Sequence, residues 1–141
     1  MRWVTLCFCA ILYLPSFGQE VLPSKEKKVI QTSIFFGGGS WYIDEEQESE
    51  LIHLIDSIPD LDQYQISLYS HTDNIGGRRF NEWLSQMRSH SVLEKLVEME
   101  IPSEYVQIKD FGQENPWFNN NDWEGRVLNR RVDVVLSPII F

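Results

Sequence analysis

The chain alternates between short apolar stretches of β-strand composition and longer stretches with helical periodicity. Residues 29–36 are apolar and β-branched and precede three consecutive glycines, which predicts a strand followed by a turn. Residues 64–69 alternate between apolar and polar side chains, which predicts a second strand. A third short strand is expected at 105–108, and a last one around 132–136.

Helices are predicted between these strands. Asp44 is followed three residues later by Gln47, a pair that resembles a capping box, and apolar residues at helical spacing then continue until a proline. A long helix is expected from about Arg79 to Met99, and a short one at 124–129 with Asn121 as its N-cap. The order β-α-β-α-β-α-β predicts an α/β, or α+β, two-layer sandwich with the helices packed on one sheet.

The composition fits a single folded domain. The chain has 141 residues, close to the usual length of one domain, and its 43% hydrophobic content supplies enough apolar side chains for a core. Its formal net charge of −9 would repel polyanions over most of the surface, so nucleic acid is not an expected partner. The only cysteines, Cys7 and Cys9, lie in the N-terminal apolar run, so disulfides and cysteine-based metal sites are not expected in the body of the protein.

The N-terminal segment has the features of a secretory signal peptide. Arg2 precedes an apolar run from Trp3 to Leu14, and small residues at 16 and 18 suit cleavage before Gln19. The run is short for a spanning helix, which is the alternative, and the mature chain is expected to have no transmembrane span. The expected divisions are a signal peptide at 1–18, a linker at 19–29, a folded domain at 30–136 and a tail at 137–141.

The second helix carries an arginine within an apolar row. Taking every fourth residue gives the row Phe80, Leu84, Arg88, Val92 and Leu96. An unpaired buried charge is costly, so Arg88 either extends its guanidinium to the helix edge, reaches a structural carboxylate or meets the anion of a ligand. As a ligand group, Arg88 would be less necessary to the fold than Leu84.

A polar loop at 71–77 joins the second strand to this helix. Ligands often bind where such loops leave the strands of an α/β sheet. Asp73 is either a turn or cap residue or a ligand-binding carboxylate. Every arginine after Arg2 lies in this loop and helix or in segment 124–131, which in an acidic chain suggests recognition of a carboxylate.

Two separated signatures resemble a known family. One runs through His71, Thr72, Asp73, Asn74, Ile75 and Gly76 to Asn81, Leu84, Ser85 and Arg88, and the other runs from Glu124 to Val132. In this order they closely resemble the OmpA-like C-terminal domain, over roughly Ile30 to Leu136. Ser70, Ser89 and Met99–Glu100 depart from the pattern of that family, which has a glycine at the helix end.

The resemblance implies a fold and a function. Members of this family pack their helices on one mixed sheet and bind peptidoglycan non-covalently, gripping the diaminopimelate of the stem peptide with an aspartate and an arginine. Matched residue by residue, these two are Asp73 and Arg88. The residues expected to support them are Thr72, Asn81, Phe36, Gly37, Arg126 and Arg131.

The same resemblance implies a location and a set of partners. The protein is expected in the periplasm or at the outer membrane of a Gram-negative bacterium, exported by a cleavable signal peptide. Peptidoglycan of the diaminopimelate type is the expected partner, together with other envelope proteins. No cofactor and no metal ion are expected.

Two other function classes stay open as alternatives. An enzyme would use His71 and Asp73 as a metal-binding or general-base pair, but no third ligand or nucleophile lies at diagnostic spacing, so we expect no catalysis. A protein-interaction subunit of an envelope complex would keep the fold without binding the wall.

The chain is also rich in tryptophan near the two signatures. Four of these side chains are Trp41, Trp83, Trp117 and Trp123. We interpret them as part of the core, with a platform that stacks on glycan as the alternative.

Overall fold

Four strands and three helices form the fold in the computed structural model, which describes residues 27–139. The strands are β1 (Ile30–Phe35), β2 (Tyr64–His71), β3 (Val106–Gly112) and β4 (Arg131–Pro138). The helices are α1 (Glu45–Asp56), α2 (Arg78–Glu98) and α3 (Trp123–Asn129). The signal peptide predicted at 1–18 lies outside the described residues, as do most of the predicted linker and the last two residues of the predicted tail.

The strands form one mixed sheet in the order β1-β4-β2-β3. Strand β4 is antiparallel to both β1 and β2, whereas β2 and β3 are parallel. The pairs Phe35–Arg131 and Ser70–Val132 bring the ends of β1 and β2 beside the start of β4. The predicted α/β architecture, with helices on one mixed sheet, is confirmed, and this edge of the sheet gathers three chain segments.

The core lies between the sheet and the helices. Even-numbered side chains of β2 and β4 face the helices, because successive side chains of a strand point to opposite faces. The buried residues that make this core include Ile66, Leu68, Val132, Val134 and Leu136 of the sheet and Leu51, Ile55, Val92 and Leu96 of the helices. Odd-numbered residues of the same strands therefore face the other side of the sheet.

Two helix starts show how far the capping pattern predicts structure. The Asp44 carboxylate accepts the Gln47 backbone N–H at 2.9 Å, so this predicted N-cap is confirmed. The predicted cap Asn121 is wrong by one residue, because Asp122 accepts the Gly125 N–H at 2.6 Å. Residue 125 must be a glycine for a separate, steric reason, since a Cβ there would lie 1.9 Å from the Asn119 carbonyl oxygen.

The interpretation of the tryptophans as core is wrong. All four of them are exposed: Trp41, Trp83, Trp117 and Trp123. Phe80, the first member of the predicted apolar row, is also exposed, whereas the other four members are buried. The physical reason is that aliphatic side chains already fill the layer between the sheet and the helices, and the segment 74–80 is exposed throughout.

No helix within residues 27–139 is long and apolar enough to cross a membrane.

Helix α2 ends in a left-handed turn that carries a glutamate. The Ile101 N–H donates to the Leu96 carbonyl at 3.1 Å and the Glu100 N–H to the Val97 carbonyl at 3.0 Å, the two bonds of a Schellman motif. Glu100 has φ of 65° at the position where this motif favours glycine. This is the position at which the sequence departs from the glycine of the family that it resembles.

The first prediction concerns this turn. Glu100→Gly should raise the free energy of unfolding by about 0.5–1 kcal/mol, because glycine adopts positive φ without a Cβ penalty. Chemical denaturation measures the change. The matched control is Glu94→Gly, the same substitution in the exposed interior of α2, which should lower stability by about 1 kcal/mol. Equal destabilisation by both variants would contradict the prediction.

Candidate functional site

The candidate site lies at the edge of the sheet where β1 and β2 end and β4 begins. Three segments meet there: the glycine-rich loop 36–40, the loop 71–77 and Arg130 just before β4. Helix α2 contributes Arg88 from its middle. The Arg88 side chain spans these segments.

Arg88 donates hydrogen bonds to three backbone carbonyls. Its Nε bonds the Ser40 oxygen at 2.9 Å, Nη1 bonds the His71 oxygen at 2.9 Å and Nη2 bonds the Gly37 oxygen at 3.0 Å. A guanidinium has five N–H donors, so two remain for another acceptor. The side chain therefore fastens the loop after β1 to the end of β2 and to α2.

The Arg88 guanidinium is a buried cation. The residue is 1% exposed, and its Cζ lies 5.2 Å from the centre of the Phe36 ring, within cation–π range. Burial lowers the pKa of Arg88 to about 10, the Asp73 carboxylate opposes that shift and the Arg130 charge adds to it. Arg88 is still cationic at neutral pH, and all three charged groups lie close enough to influence one another.

Asp73 is already held on both oxygens. Its Oδ1 accepts the Ile75 N–H at 3.1 Å, and its Oδ2 accepts Nε of Arg130 at 2.7 Å. The Arg130 guanidinium lies beside Gly38, where an added Cβ would be 3.5 Å from its Cζ. Both side chains are largely buried. One carboxylate and two guanidiniums thus share a single site.

Thr72 and Asn81 hold the Asp73 loop in place. The Thr72 hydroxyl donates to the Asp73 carbonyl at 2.9 Å, and Nδ2 of Asn81 donates to the same carbonyl at 3.3 Å and to the Gln113 side chain at 2.8 Å. The Thr72 N–H donates to the Gly112 carbonyl at 2.8 Å. The Thr72 and Asn81 side chains thus hydrogen-bond the backbone of Asp73 and not its carboxylate.

The structure gathers most of the sequence-predicted residues and leaves two elsewhere. Thr72, Asn81, Phe36 and Gly37 surround Asp73 and Arg88, as described above. The two that lie elsewhere are Arg126 and Arg131. Arg126 donates to the Asn120 carbonyl within the 112–122 loop. Arg131 pairs with Asp133 and lies over the rings of Trp117 and Phe118 on the other face of the sheet.

The site residue that the sequence analysis missed is Arg130. A signal for it is present, because the apolar core positions of β4 are even-numbered and a strand alternates its faces. Residue 130 therefore belongs with the helix-side face and residue 131 with the opposite one. Arg130 and Arg131 are adjacent and of the same residue type, so no other feature of the sequence indicates which of them belongs to the site.

His71 does not pair with Asp73. Its ring stacks on Phe111 with 5.0 Å between centroids, and its Nε2 lies 3.6 Å from the Asp133 carboxylate on the far face of the sheet. Burial lowers the pKa of His71 to about 4, the Arg131 charge contributes in the same direction and Asp133 opposes it. The imidazole is therefore neutral at pH 7.

The site has the chemistry of a receptor for a group that carries both charges. A carboxylate accepts from an ammonium, and guanidiniums donate to a carboxylate in a forked geometry. Within residues 27–139, no three His, Cys, Asp or Glu side chains lie close enough together to hold a metal ion.

Residues 35–130 match the model of the OmpA family. This chain belongs to that family. Among curated OmpA-like relatives, the probable lipoprotein YiaD of Escherichia coli K12 is 34% identical over 74 residues, which cover 52% of this chain and 34% of YiaD. The peptidoglycan-binding protein ArfA of Mycobacterium tuberculosis H37Rv is 32% identical over 73 residues, 52% of this chain and 22% of ArfA. The matched part thus spans about a third of YiaD and less of ArfA.

A solved structure supports the same fold. The peptidoglycan-associated lipoprotein from Burkholderia pseudomallei superposes with a TM-score of 0.69 at 23% identity, covering 74% of this chain and 89% of that one. At this identity the similarity shows the architecture: the same two-layer arrangement of helices on one mixed sheet.

The second prediction concerns Arg88 and replaces the expectation that the fold needs it less than Leu84. Arg88→Ala should lower the free energy of unfolding by about 3–5 kcal/mol, because it leaves one buried and two partly buried carbonyls without their donor. Leu84→Ala should cost about 2–5 kcal/mol. Urea denaturation measures both, with the exposed Gln86→Ala as the control on the same helix. A stable Arg88→Ala variant would refute the structural role.

The third prediction concerns pH. Because the pKa of His71 is lowered in the folded state, the unfolded chain takes up a proton below pH 6.5 that the folded chain takes up only near pH 4. Stability should therefore fall by about 2–4 kcal/mol as the pH decreases through this window. Denaturation across pH 4–7 should show a smaller loss for His71→Gln. The exposed His90→Gln serves as control, and an unchanged profile in His71→Gln would contradict the prediction.

Proposed function

We propose that this OmpA-family chain binds peptidoglycan non-covalently through the diaminopimelate of the stem peptide, and so holds itself or an envelope complex at the wall. The observation that carries the proposal is the cluster of Asp73, Arg88 and Arg130 at one edge of the sheet. The relative ArfA, described as a peptidoglycan-binding protein, supports the ligand class.

The side-chain end of diaminopimelate is a zwitterion, with an ammonium and a carboxylate on one carbon. Its receptor needs an anion and a cation a few ångströms apart. Asp73 accepts from the ammonium, and the two arginines face the carboxylate. In the free protein Asp73 and Arg130 satisfy each other, so the ligand inserts its own pair between them.

The two arginines have different tasks in this scheme. Arg88 is held by three carbonyls before any ligand binds. Its two remaining donors and its charge can therefore contact the ligand without a further loss of side-chain entropy. Arg130 uses only its Nε toward Asp73 among the described contacts and keeps 15% of its side chain exposed. It is therefore the arginine that is free to turn toward the incoming carboxylate.

We further propose that the site binds without catalysis. Both carboxylate oxygens of Asp73 already accept hydrogen bonds, from the Ile75 N–H and from Arg130, so neither is directed at a reacting group. His71, the nearest imidazole in sequence, faces Asp133 on the opposite side of the sheet. The proposed location is the periplasm or the outer membrane of a Gram-negative cell, which rests on the N-terminal sequence and on the similarity to the lipoprotein YiaD.

The fourth prediction concerns the wall chemotype. A lysine-type stem offers the ammonium without the adjacent carboxylate, which leaves the arginines unmatched. An unmatched desolvated charge costs about 2–5 kcal/mol, roughly 30-fold to several thousand-fold in affinity. Diaminopimelate-type sacculi should therefore retain far more protein than lysine-type sacculi in a pull-down. Amidation of the side-chain carboxylate should weaken retention in the same direction.

Site variants make this test specific. Asp73→Asn and Arg130→Gln should each reduce retention on diaminopimelate-type sacculi while leaving a folded protein by circular dichroism. Arg79→Gln removes the same charge from an exposed position on the first turn of α2 and should bind as the wild type does. Equal retention on both chemotypes, with Asp73→Asn behaving like the wild type, would favour a protein-interaction module instead.

A further inference from the structure

Three aromatic side chains form an exposed patch beside the candidate site. Trp41 and Trp83 meet edge to face, with 5.2 Å between ring centroids and 78° between planes. Phe80 and Trp83 lie 5.7 Å apart at 38°. The three rings, which we call the aromatic patch, are 40%, 44% and 42% exposed for Trp41, Phe80 and Trp83.

The aromatic patch is continuous with the two loops that build the charged site. Trp41 directly follows Ser40, whose carbonyl accepts from Arg88. Phe80 lies under Gly76 of the Asp73 loop, where an added Cβ would be 3.0 Å from its Cδ1. The rings therefore adjoin both loops that hold Asp73 and Arg88.

The composition and geometry of the aromatic patch limit the class of ligand that it can bind. Exposed apolar clusters of this kind mark binding surfaces. An anionic lipid surface is a poor partner for a chain of net charge −9. The two indoles stand nearly perpendicular and form a corner, which suits a small saturated ring with C–H groups on its faces better than a flat protein surface.

We infer that the aromatic patch binds a pyranose ring of the glycan strand to which the stem peptide is joined. The inference rests on the proposed function, because the stem peptide supplies the connection. Two residues and a lactyl group separate diaminopimelate from its sugar, which spans about 10 Å when extended. The sugar of a gripped stem is therefore within reach of rings that adjoin the site.

The experiment compares two soluble ligands with the full chain. One is the free tripeptide that ends in diaminopimelate, and the other is the same tripeptide on its disaccharide. The wild type should bind the disaccharide form roughly threefold to tenfold more tightly by calorimetry. Trp83→Ala and Trp41→Ala should lose this increment and keep the affinity for the free tripeptide.

A matched control is available in the chain. Trp123→Ala makes the same change at an exposed tryptophan of α3, outside the aromatic patch, and should keep the full increment. Trp83→Gln repeats the test with a polar side chain suited to a helix surface, should Trp83→Ala not fold. Trp83→Phe retains a ring and should restore part of the increment.

The outcomes separate the two proposals. Failure of the wild type to bind the free tripeptide would overturn the proposed function itself. Binding of both ligands with equal affinity would overturn the glycan inference while leaving the proposed function in place, and would make a protein the better partner for the aromatic patch. Equal weakening of both ligands by the patch variants would also overturn it, because the tryptophans would then be structural.

Discussion

The structure depends on one buried guanidinium. Arg88 reaches from the middle of α2 to the carbonyls of Gly37, Ser40 and His71, and so joins a helix, a loop and a strand end. A cation removed from water must find compensation, and here three carbonyl dipoles supply the direct hydrogen bonds while the Asp73 carboxylate adds its charge. The position of the Asp73 loop follows from this arrangement, because His71 immediately precedes it.

This compensation by backbone explains a limit of sequence analysis. The apolar row on α2 showed that Arg88 is unusual, and the burial of four of its five positions agrees with that pattern. Its partners were not predictable, because a carbonyl group is present at every residue and leaves no sequence signature. The sequence leaves the helix edge, a structural carboxylate and a ligand open as partners of Arg88, and the family resemblance favours the ligand, but neither indicates the contacts to backbone carbonyls.

Periodicity predicted the architecture well and the surface poorly. The alternation in β2 and β4 and the helical spacing in α1 and α2 predict these strands and helices, and the family resemblance implies that the sheet is mixed. The prediction that the tryptophans belong to the core is wrong, because hydrophobicity alone does not distinguish a buried ring from an exposed ring at a binding surface. Asn121 and Asp122 are equally good caps, so only the backbone geometry of the loop decides between them.

The Asp73–Arg130 pair has a consequence for how attachment responds to its surroundings. The pair is neutral as a whole, although the Arg88 charge lies beside it, and the zwitterion that the site is proposed to receive is neutral as well. Binding then exchanges partners between two dipoles and transfers no net charge, so long-range attraction contributes little and ionic strength has little to screen. A protein attached to the wall in this way stays bound at salt concentrations that would release a protein attached by net charge.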